Sequence, residues 1–359
     1  MSEESIKRLL EKLTQVHGVP GAEEAVRAVL EEELASVAEL SRDRLGSLIA
    51  KKRGAADGPK VMFAAHMDEV GFMVTRITDE GYLRFQTLGG WWEQVMLAQR
   101  VAVLTRRGEL IGVIGSKPPH VLSPDERKKV VEKREMFIDI GVANKREAEE
   151  KGGRPGDPVV PICPFTTLAN EKYVMAKALD NRVGCALVVE ILKSLGDGHP
   201  NTAFGVATVQ EEVGLRGAAT STYSVEPDIG FALDVCVAGD TPGLKPEEAQ
   251  AKLGAGPAIL LYDATLVPHR RLLNFVVDVA EQVGVPLQFD SMAGGGTDAG
   301  RMHLFGEGVP SLAIAVPTRY IHSHAGIVHL DDLVHTARLV REVIYRLDWD
   351  RVQGITGQR

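Results

Sequence analysis

Residues 60–74 read KVMFAAHMDEVGFMV, and both signals that decide the fold lie in this stretch. Val-Met-Phe-Ala-Ala at 61–65 is a short continuous apolar run, which is typical of a strand buried on both faces. Such strands belong to parallel sheets that helices cover on both sides. From residue 71 onward the pattern changes, so we expect the chain to enter a different kind of structure at this point.

Between residues 71 and 163 short β-like segments recur between glycines and charged turns. Examples are GFMVTRIT at 71–78 and RVAVLTRRGELIGVIG at 100–115. This pattern predicts a small β-rich barrel or sandwich. Within it, the polar segment 117–136 is Pro-rich at its start, with Pro118 and Pro119, and we predict an exposed loop there.

After residue 164 strands and helices alternate. TAFGVATVQ at 202–210 has the pattern of a strand, and NRVGCALVVEILKSL at 181–195 that of a helix. Alternation of this kind predicts an α/β fold with a mostly parallel sheet covered by helices. We therefore predict a discontinuous α/β domain from 1–70 and 164–359, with the β-rich domain 71–163 inserted into it.

Composition restricts the classes of function. A net charge of -8 over 359 residues argues against nucleic acid as a partner, since phosphate backbones require a basic face. Three cysteines without a CxxC pair argue against a disulfide framework and against a thiolate zinc site. The charged N-terminal segment lacks the apolar core of a signal peptide, and no apolar run reaches membrane-spanning length. We therefore expect a cytoplasmic protein without a membrane partner.

Histidines and acids follow the apolar runs at five separate places along the chain. These residues are His66, Asp68, Asp180, Glu211, Glu212, Asp234, His322 and His324. Because ligands of open parallel sheets bind outside the carboxyl ends of the strands, we expect these side chains to meet at one edge. Crowded carboxylates require cations, and no run of lysine or arginine accompanies them. A His and carboxylate mixture without thiolates predicts zinc, cobalt or manganese.

The same segments resemble the M42 metalloaminopeptidases, the family of glutamyl, deblocking and tetrahedral aminopeptidases. The matching motifs occur in order along most of the chain: AAHMDEVGFMV (64–74), KALDNRVGC (177–185), VQEEVGLRGA (209–218), ALDVCVAGDTPG (232–243), GGGTDAG (294–300) and PTRYIHSHAG (317–326). The resemblance implies a zinc-peptidase-like α/β fold with an inserted small β-barrel domain for dimerisation. It also implies two divalent metal ions per subunit, zinc or cobalt with manganese also possible, and removal of N-terminal residues from short peptides. Dimers of the family assemble into tetrahedral dodecamers, so a homo-oligomer is expected.

The resemblance also implies a metal ligand for each of five positions. Asp180 corresponds to the carboxylate that bridges both metals. The terminal ligands would be His66 and Asp234 for one metal, and Glu212 and His322 for the other.

Two further residues correspond to catalytic positions of the family. Glu211 is similar to the general base, and Asp68 is similar to the carboxylate that hydrogen-bonds His66. Because Asp68 lies two residues after His66, both would point to the same face of an extended strand. For the histidines, the RYxHS pattern favours His322 over His324, since Ser323 supplies its serine.

Two rival functions stay open on the sequence. One is a metal-dependent deacylase or carboxypeptidase on the same fold. The other is a glycoside hydrolase of the endoglucanase type, with Glu211 and a second acid as its carboxylate pair. The sequence does not identify which N-terminal residue is removed from the peptide. The glycines at 294–296 permit close backbone approach and predict a substrate pocket, with Thr297 and Asp298 near the bound side chain.

Overall fold

The computed structural model describes residues 2–55 and 57–357. Its largest element is an eight-stranded sheet in the order β1-β2-β12-β3-β13-β16-β14-β15. The strands, in chain order, are β1 (Glu39–Arg42), β2 (Leu48–Arg53), β3 (Lys60–His66), β12 (Thr202–Thr208), β13 (Ile229–Val237), β14 (Ala258–Tyr262), β15 (Gln288–Ser291) and β16 (Ser311–Thr318). The numbers missing from this series belong to strands of the barrel and of a small third sheet.

The centre of the sheet is parallel, as the sequence predicts. Strands β12, β3, β13 and β16 are parallel to one another, and β14 is parallel to β15. The β1–β2, β2–β12 and β14–β16 pairings are antiparallel. Thr208 at the end of β12 pairs with His66 at the end of β3. The carboxyl ends of the central strands therefore meet at one edge of the sheet.

Helices cover both faces of this sheet. They are α1 (Glu3–Gln15), α2 (Glu24–Leu34), α4 (Leu179–Ser194), α5 (Arg216–Val225), α6 (Arg270–Val283), α7 (Ala299–Met302), α8 (Leu330–Ile344) and α9 (Trp349–Thr356), while α3 (Lys145–Glu150) lies in the barrel segment. Ser2 caps α1, because its hydroxyl accepts a hydrogen bond from the Ser5 N–H. Helix α4 packs against β3 and β13 and is buried along most of its length, so its first residues lie beside the carboxyl ends of those strands.

The segment after β3 forms a closed barrel in the strand order β4-β5-β8-β7-β6-β9. Its strands are β4 (Gly71–Ile77), β5 (Leu83–Leu88), β6 (Arg100–Thr105), β7 (Gly108–Gly115), β8 (Phe137–Asp139) and β9 (Pro158–Pro161). Buried apolar side chains such as Phe72, Val101 and Ile138 fill it, and the segment 117–136 crosses its surface with mostly exposed residues. The α/β class with a barrel is thus confirmed, while the predicted domain boundaries stay a prediction.

A third sheet, in the order β10-β11-β17, consists of β10 (Thr166–Thr167), β11 (Tyr173–Ala176) and β17 (Gly326–His329). It joins the segment before α4 to the segment after β16. Among the described residues, no helix combines the length and the apolar character that crossing a bilayer requires.

Candidate metal centre and active site

Two groups of metal-binding side chains meet at the carboxyl edge of the sheet. The first consists of His66, Asp180 and Asp234, and the second of Asp180, Glu212 and His322. Within each group the atoms that could bind a metal lie within 4.8 Å of one another. The structure therefore brings together all five residues that the sequence predicts as ligands, and Asp180 belongs to both groups.

Asp180 lies between two histidines. Its Oδ1 is 3.0 Å from His66 Nε2, and its Oδ2 is 3.3 Å from His322 Nε2. Burial by itself would raise the pKa of Asp180, but the hydrogen bonds with His322 and His66 outweigh burial and hold this pKa below its usual range. Each oxygen of one carboxylate thus faces a different histidine, which is the arrangement of a bridging ligand.

The remaining acids crowd around this pair. Glu212 Oε2 lies 3.4 Å from His322 Nε2, and Asp234 Oδ1 lies 3.9 Å from His66 Nε2. Burial, together with the charge of Asp180, raises the pKa of Glu212 and that of Asp234 to about 8 each. Carboxylates in this position are costly to ionise without a cation beside them.

The donor set fits divalent metal. Glu212 Oε1 is buried and has no hydrogen-bond partner among residues 2–55 and 57–357. Oxygen and imidazole ligands without thiolates suit zinc, cobalt or manganese. A cation in the second group would satisfy this oxygen, and a cation in each group would offset the repulsion among Asp180, Glu212 and Asp234.

Glu211 lies beside the two groups without belonging to either. Its Oε2 is 3.8 Å from His66 Nε2, and its side chain is almost fully buried. Burial, together with the neighbouring acids Asp234 and Glu212, raises the pKa of Glu211 well above its ordinary value. The two adjacent glutamates therefore have different surroundings, since only Glu212 lies in a ligand group.

Asp68 makes contacts that differ from the prediction. The acceptor for His66 Nδ1 is the main-chain carbonyl of Asp68 at 3.0 Å, whereas the Asp68 carboxylate is 3.7 Å away. This carboxylate instead accepts the backbone N–H groups of Glu211 at 3.0 Å and of Glu212 at 3.1 Å. The reason is that β3 ends at His66, so Asp68 does not continue the alternation of a strand. His66 is still oriented by residue 68, but through its backbone.

Sequence reasoning missed Glu23, a second carboxylate that holds the same turn. Its Oε1 accepts the N–H of Gly21 at 2.8 Å and the N–H of Gln210 at 3.1 Å. Gln210 has φ of 54°, in the left-handed region that non-glycine residues rarely adopt. Three successive N–H groups at 210–212, called here the 210–212 turn, therefore all donate to buried carboxylates. Glu23 gave only the signal of an acid at a helix start.

The structure gives the two candidate histidines, His322 and His324, different surroundings. His322 lies in the second ligand group, and its side chain is partly exposed. His324 is buried against the ring of Trp91 at 5.1 Å between centroids, and burial lowers its pKa to about 4. Among the described residues neither ring nitrogen of His324 has a hydrogen-bond partner, and His324 joins neither group.

A cavity of about 620 Å³ opens above the two groups. The apolar part of its wall includes Leu215, Val235, Val237, Met292 and Ile321. Thr297 lines this cavity as expected. Asp298 does not, because it is buried behind the wall, where its Oδ2 accepts the hydroxyl of Thr208 at 2.6 Å. The prediction for Asp298 is therefore wrong, and Arg301, which the sequence did not single out, lines the cavity instead.

A mostly parallel sheet with histidine and carboxylate groups at its carboxyl edge defines a hydrolase of the zinc-peptidase-like fold. The model of the M42 glutamyl aminopeptidase family matches residues 46–339, and the chain belongs to this family. It is accordingly an aminopeptidase, a hydrolase of peptide bonds, and M42 peptidases are metal-dependent.

Individual relatives match over nearly the whole chain. The putative aminopeptidase FrvX of Escherichia coli K12 is 41% identical over 350 residues, which cover 97% of each chain. A TET aminopeptidase from Thaumarchaeota archaeon SCGC AB-539-E09 superposes with a TM-score of 0.96 at 48% identity, covering 98% of this chain and 99% of its own. Pyrococcus horikoshii TET1, whose structure is described as assembling into a tetrahedron or a large octahedral shell, has a TM-score of 0.86 at 36% identity and covers 95% and 100% of the two chains.

Proposed function

We propose that this aminopeptidase uses two divalent metal ions, zinc or cobalt with manganese as a third possibility, to remove N-terminal amino acids from short peptides. The observation that carries the proposal is the position of Asp180, with one oxygen toward His66 and the other toward His322. His66 and Asp234 would hold one ion with Asp180, and Glu212 and His322 would hold the other. Ions held by these residues would supply polarisation of a scissile carbonyl and a lower pKa for the attacking water.

Glu211 is the proposed general base. Its carboxylate lies beside His66 but outside both ligand groups, so it stays free to exchange a proton. It would take the proton of the attacking water and deliver that proton to the leaving amine. Asp68 acts in this scheme by holding the backbone of Glu211 and Glu212, and its carbonyl fixes the ring of His66.

The barrel at 71–163 is proposed as an inserted dimerisation domain of a homo-oligomer. Ile111 and Val113 of β7 are large apolar side chains exposed on its surface, as expected of an interface. A dodecamer would have about twelve times the 38.8 kDa mass of the chain, which light scattering after size exclusion measures. Replacing Ile111 by Glu should lower the measured mass, and an unchanged mass would contradict a role of this face in assembly.

The experiment that tests the function compares aminoacyl p-nitroanilides with matched N-acetylated controls. Each is assayed before chelation, after chelation, and after zinc or cobalt is added back. We expect cleavage to require both the free amine and the metal, and the metal content to be two ions per chain. Asp180→Asn should bind fewer ions and lose activity, whereas Asp197→Asn, at an exposed position outside the cavity, should behave like wild type.

Two outcomes would contradict the proposal. Equal turnover of the acetylated substrates would favour a deacylase or carboxypeptidase. Hydrolysis unaffected by chelation would contradict the proposed roles of Asp180, Glu211 and Glu212. It would favour the carboxylate-pair mechanism of a glycoside hydrolase.

A further inference from the structure

Arg301 is a cationic side chain that lines the active-site cavity. It lies in the short helix α7, where Ala299, Gly300 and Met302 are buried and Arg301 alone is exposed. Across residues 2–55 and 57–357, its guanidinium has neither a hydrogen-bond acceptor nor an ion-pair partner. Arg301 therefore lines the cavity without a paired carboxylate.

The backbone that carries Arg301 is held tightly. Asp263 Oδ1 accepts the N–H and the hydroxyl of Thr265, both at 2.7 Å, and Asp263 Oδ2 accepts the hydroxyl of Thr297 at 3.2 Å. A Cβ at Gly300 would lie 2.0 Å from Thr265 Oγ1, and one at Gly296 would lie 2.5 Å from Thr265 Cγ2. These close contacts require glycine and pack the segment against Thr265. The backbone at Arg301 is therefore fixed, whereas its guanidinium is not held by a hydrogen bond to any described residue.

The rest of the cavity makes this charge chemically selective. Apart from the histidine and carboxylate groups, the wall includes the apolar side chains of Leu215, Val237 and Met292. The four acids of the lining each lie within 4.0 Å of His66 or His322, and none of them forms an ion pair with Arg301. A guanidinium presents parallel N–H donors that match the two oxygens of a carboxylate, and this pairing strengthens where water is partly excluded.

We propose that Arg301 is a specificity-determining residue that binds a carboxylate of the peptide substrate. The carboxylate is either the side chain of an acidic N-terminal residue or the C-terminal carboxylate of a short peptide, since both have the same chemistry and the cavity of about 620 Å³ is of the size that holds a small ligand. The inference rests on the proposed function, because it assigns the substrate class of the same site.

The test uses two pairs of substrates that differ only in the carboxylate. The first pair is glutamyl p-nitroanilide and glutaminyl p-nitroanilide, neither of which has a C-terminal carboxylate. The second pair is leucylglycine and its C-terminal amide. Wild type is expected to favour the carboxylate in at least one pair by about 10- to 100-fold in kcat/KM, the range of a charge-assisted pair. The pair that responds identifies which carboxylate is bound.

Three variants assign this preference to Arg301. In the pair that shows a preference, Arg301→Gln should bring the ratio of the two kcat/KM values to within about 3-fold of unity. Arg301→Glu should favour lysyl over glutamyl p-nitroanilide. Arg270→Gln, at an exposed position of α6 outside the cavity, should keep the wild-type ratios. Because positions 301 and 270 are exposed, all three proteins are expected to fold, and thermal unfolding verifies this.

Equal ratios in wild type and Arg301→Gln for both pairs would overturn the inference while leaving the aminopeptidase proposal intact. Calorimetric binding of glutamate against glutamine, and of diglycine against its amide, gives the same comparison without turnover. A protein that hydrolyses no free-amine substrate, but whose calorimetric preference for the carboxylate ligand is lost in Arg301→Gln, would contradict the proposed function and support the role of Arg301.

Discussion

Replacing Asp68 by Asn tests whether the geometry of the 210–212 turn controls catalysis. Both oxygens of Asp68 are in use, since Oδ1 accepts the N–H of Glu211 and Oδ2 accepts the N–H of Glu212. Asparagine offers one oxygen and one NH₂ group, so one backbone N–H would face a donor. The turn would then shift to relieve this contact, and Glu211 would move with it.

The expected magnitude follows from the bond that is lost. A hydrogen bond to a charged acceptor contributes about 1.5–3 kcal/mol, and a buried donor left without an acceptor costs about 1–3 kcal/mol. If the loss falls on the placement of the proposed base, kcat decreases by about 10- to 100-fold, because about 1.4 kcal/mol corresponds to a factor of ten. KM should change less than kcat, because the apolar side chains Val237 and Met292 of the cavity wall do not contact Asp68 and are not substituted.

Glu23→Gln is the matched control. A single oxygen of Glu23 accepts both the N–H of Gly21 and the N–H of Gln210, so the glutamine oxygen can replace it. This variant removes a charge and keeps the geometry, and its kcat should stay within about 3-fold of wild type.

The assay measures kcat and KM on a p-nitroanilide at saturating metal, with metal content determined for each protein. Wild-type kcat in Asp68→Asn would refute the reasoning. A loss in Glu23→Gln as large as that in Asp68→Asn would show that charge, and not geometry, is decisive.

Three further predictions concern stability. Chelation should lower the unfolding temperature, and metal at about 100 times its Kd should restore about 2.7 kcal/mol, as followed by thermal scanning with and without zinc; no shift would contradict a metal bound to the folded state. Burial raises the pKa of Glu23 from 4.5 to about 7, so the folded protein holds a proton that the unfolded chain releases, and stability should fall as pH rises between these values. Glu23→Gln should remove about 3 kcal/mol of this decrease in the free energy of unfolding, measured by urea unfolding at several pH values. If the free energy of unfolding depended on pH in the same way in this variant, Glu23 would not be the group responsible. Gly300→Ala should lower the free energy of unfolding by about 1–3 kcal/mol, because the new Cβ would clash with Thr265. Gly294→Ala, with no atom within 4 Å of the new Cβ, should lower it little. Equal losses in the two variants would refute the packing argument.

The sequence was sufficient for those parts of the site that depend on local patterns. The apolar run before His66 predicted a buried parallel strand, and parallel strands align their carboxyl ends. His66 and Thr208 are therefore partners in the sheet although 142 residues of sequence position separate them. The barrel was predicted less fully, because short β segments with turns fit both a barrel and a sandwich until the strand pairing is known.

The sequence was insufficient where the chain leaves regular structure. Strand alternation predicts that the Asp68 carboxylate lies beside His66. However, β3 ends at His66, and the carboxylate instead accepts the N–H groups of Glu211 and Glu212. Gln210 and His322 have positive φ values of 54° and 58°, and neither residue type signals this conformation. Arg301 gave no signal, because its position depends on how Gly300 packs against Thr265.

The two adjacent glutamates can serve different purposes only because their backbone is not a strand. An extended chain would point Glu211 and Glu212 to opposite faces. The left-handed Gln210 ends the extended conformation directly before them, and the carboxylates of Glu23 and Asp68 hold the turn that follows. Peptide N–H groups offset part of the cost of burying those two acids, so the carboxylates and the turn stabilise one another. The acidic character of this region therefore has two causes, since some acids could bind metal and others fix the backbone that presents them. A substitution that removes an acceptor from this turn, as Asp68→Asn does, should therefore impair catalysis although all five proposed ligand side chains are still present.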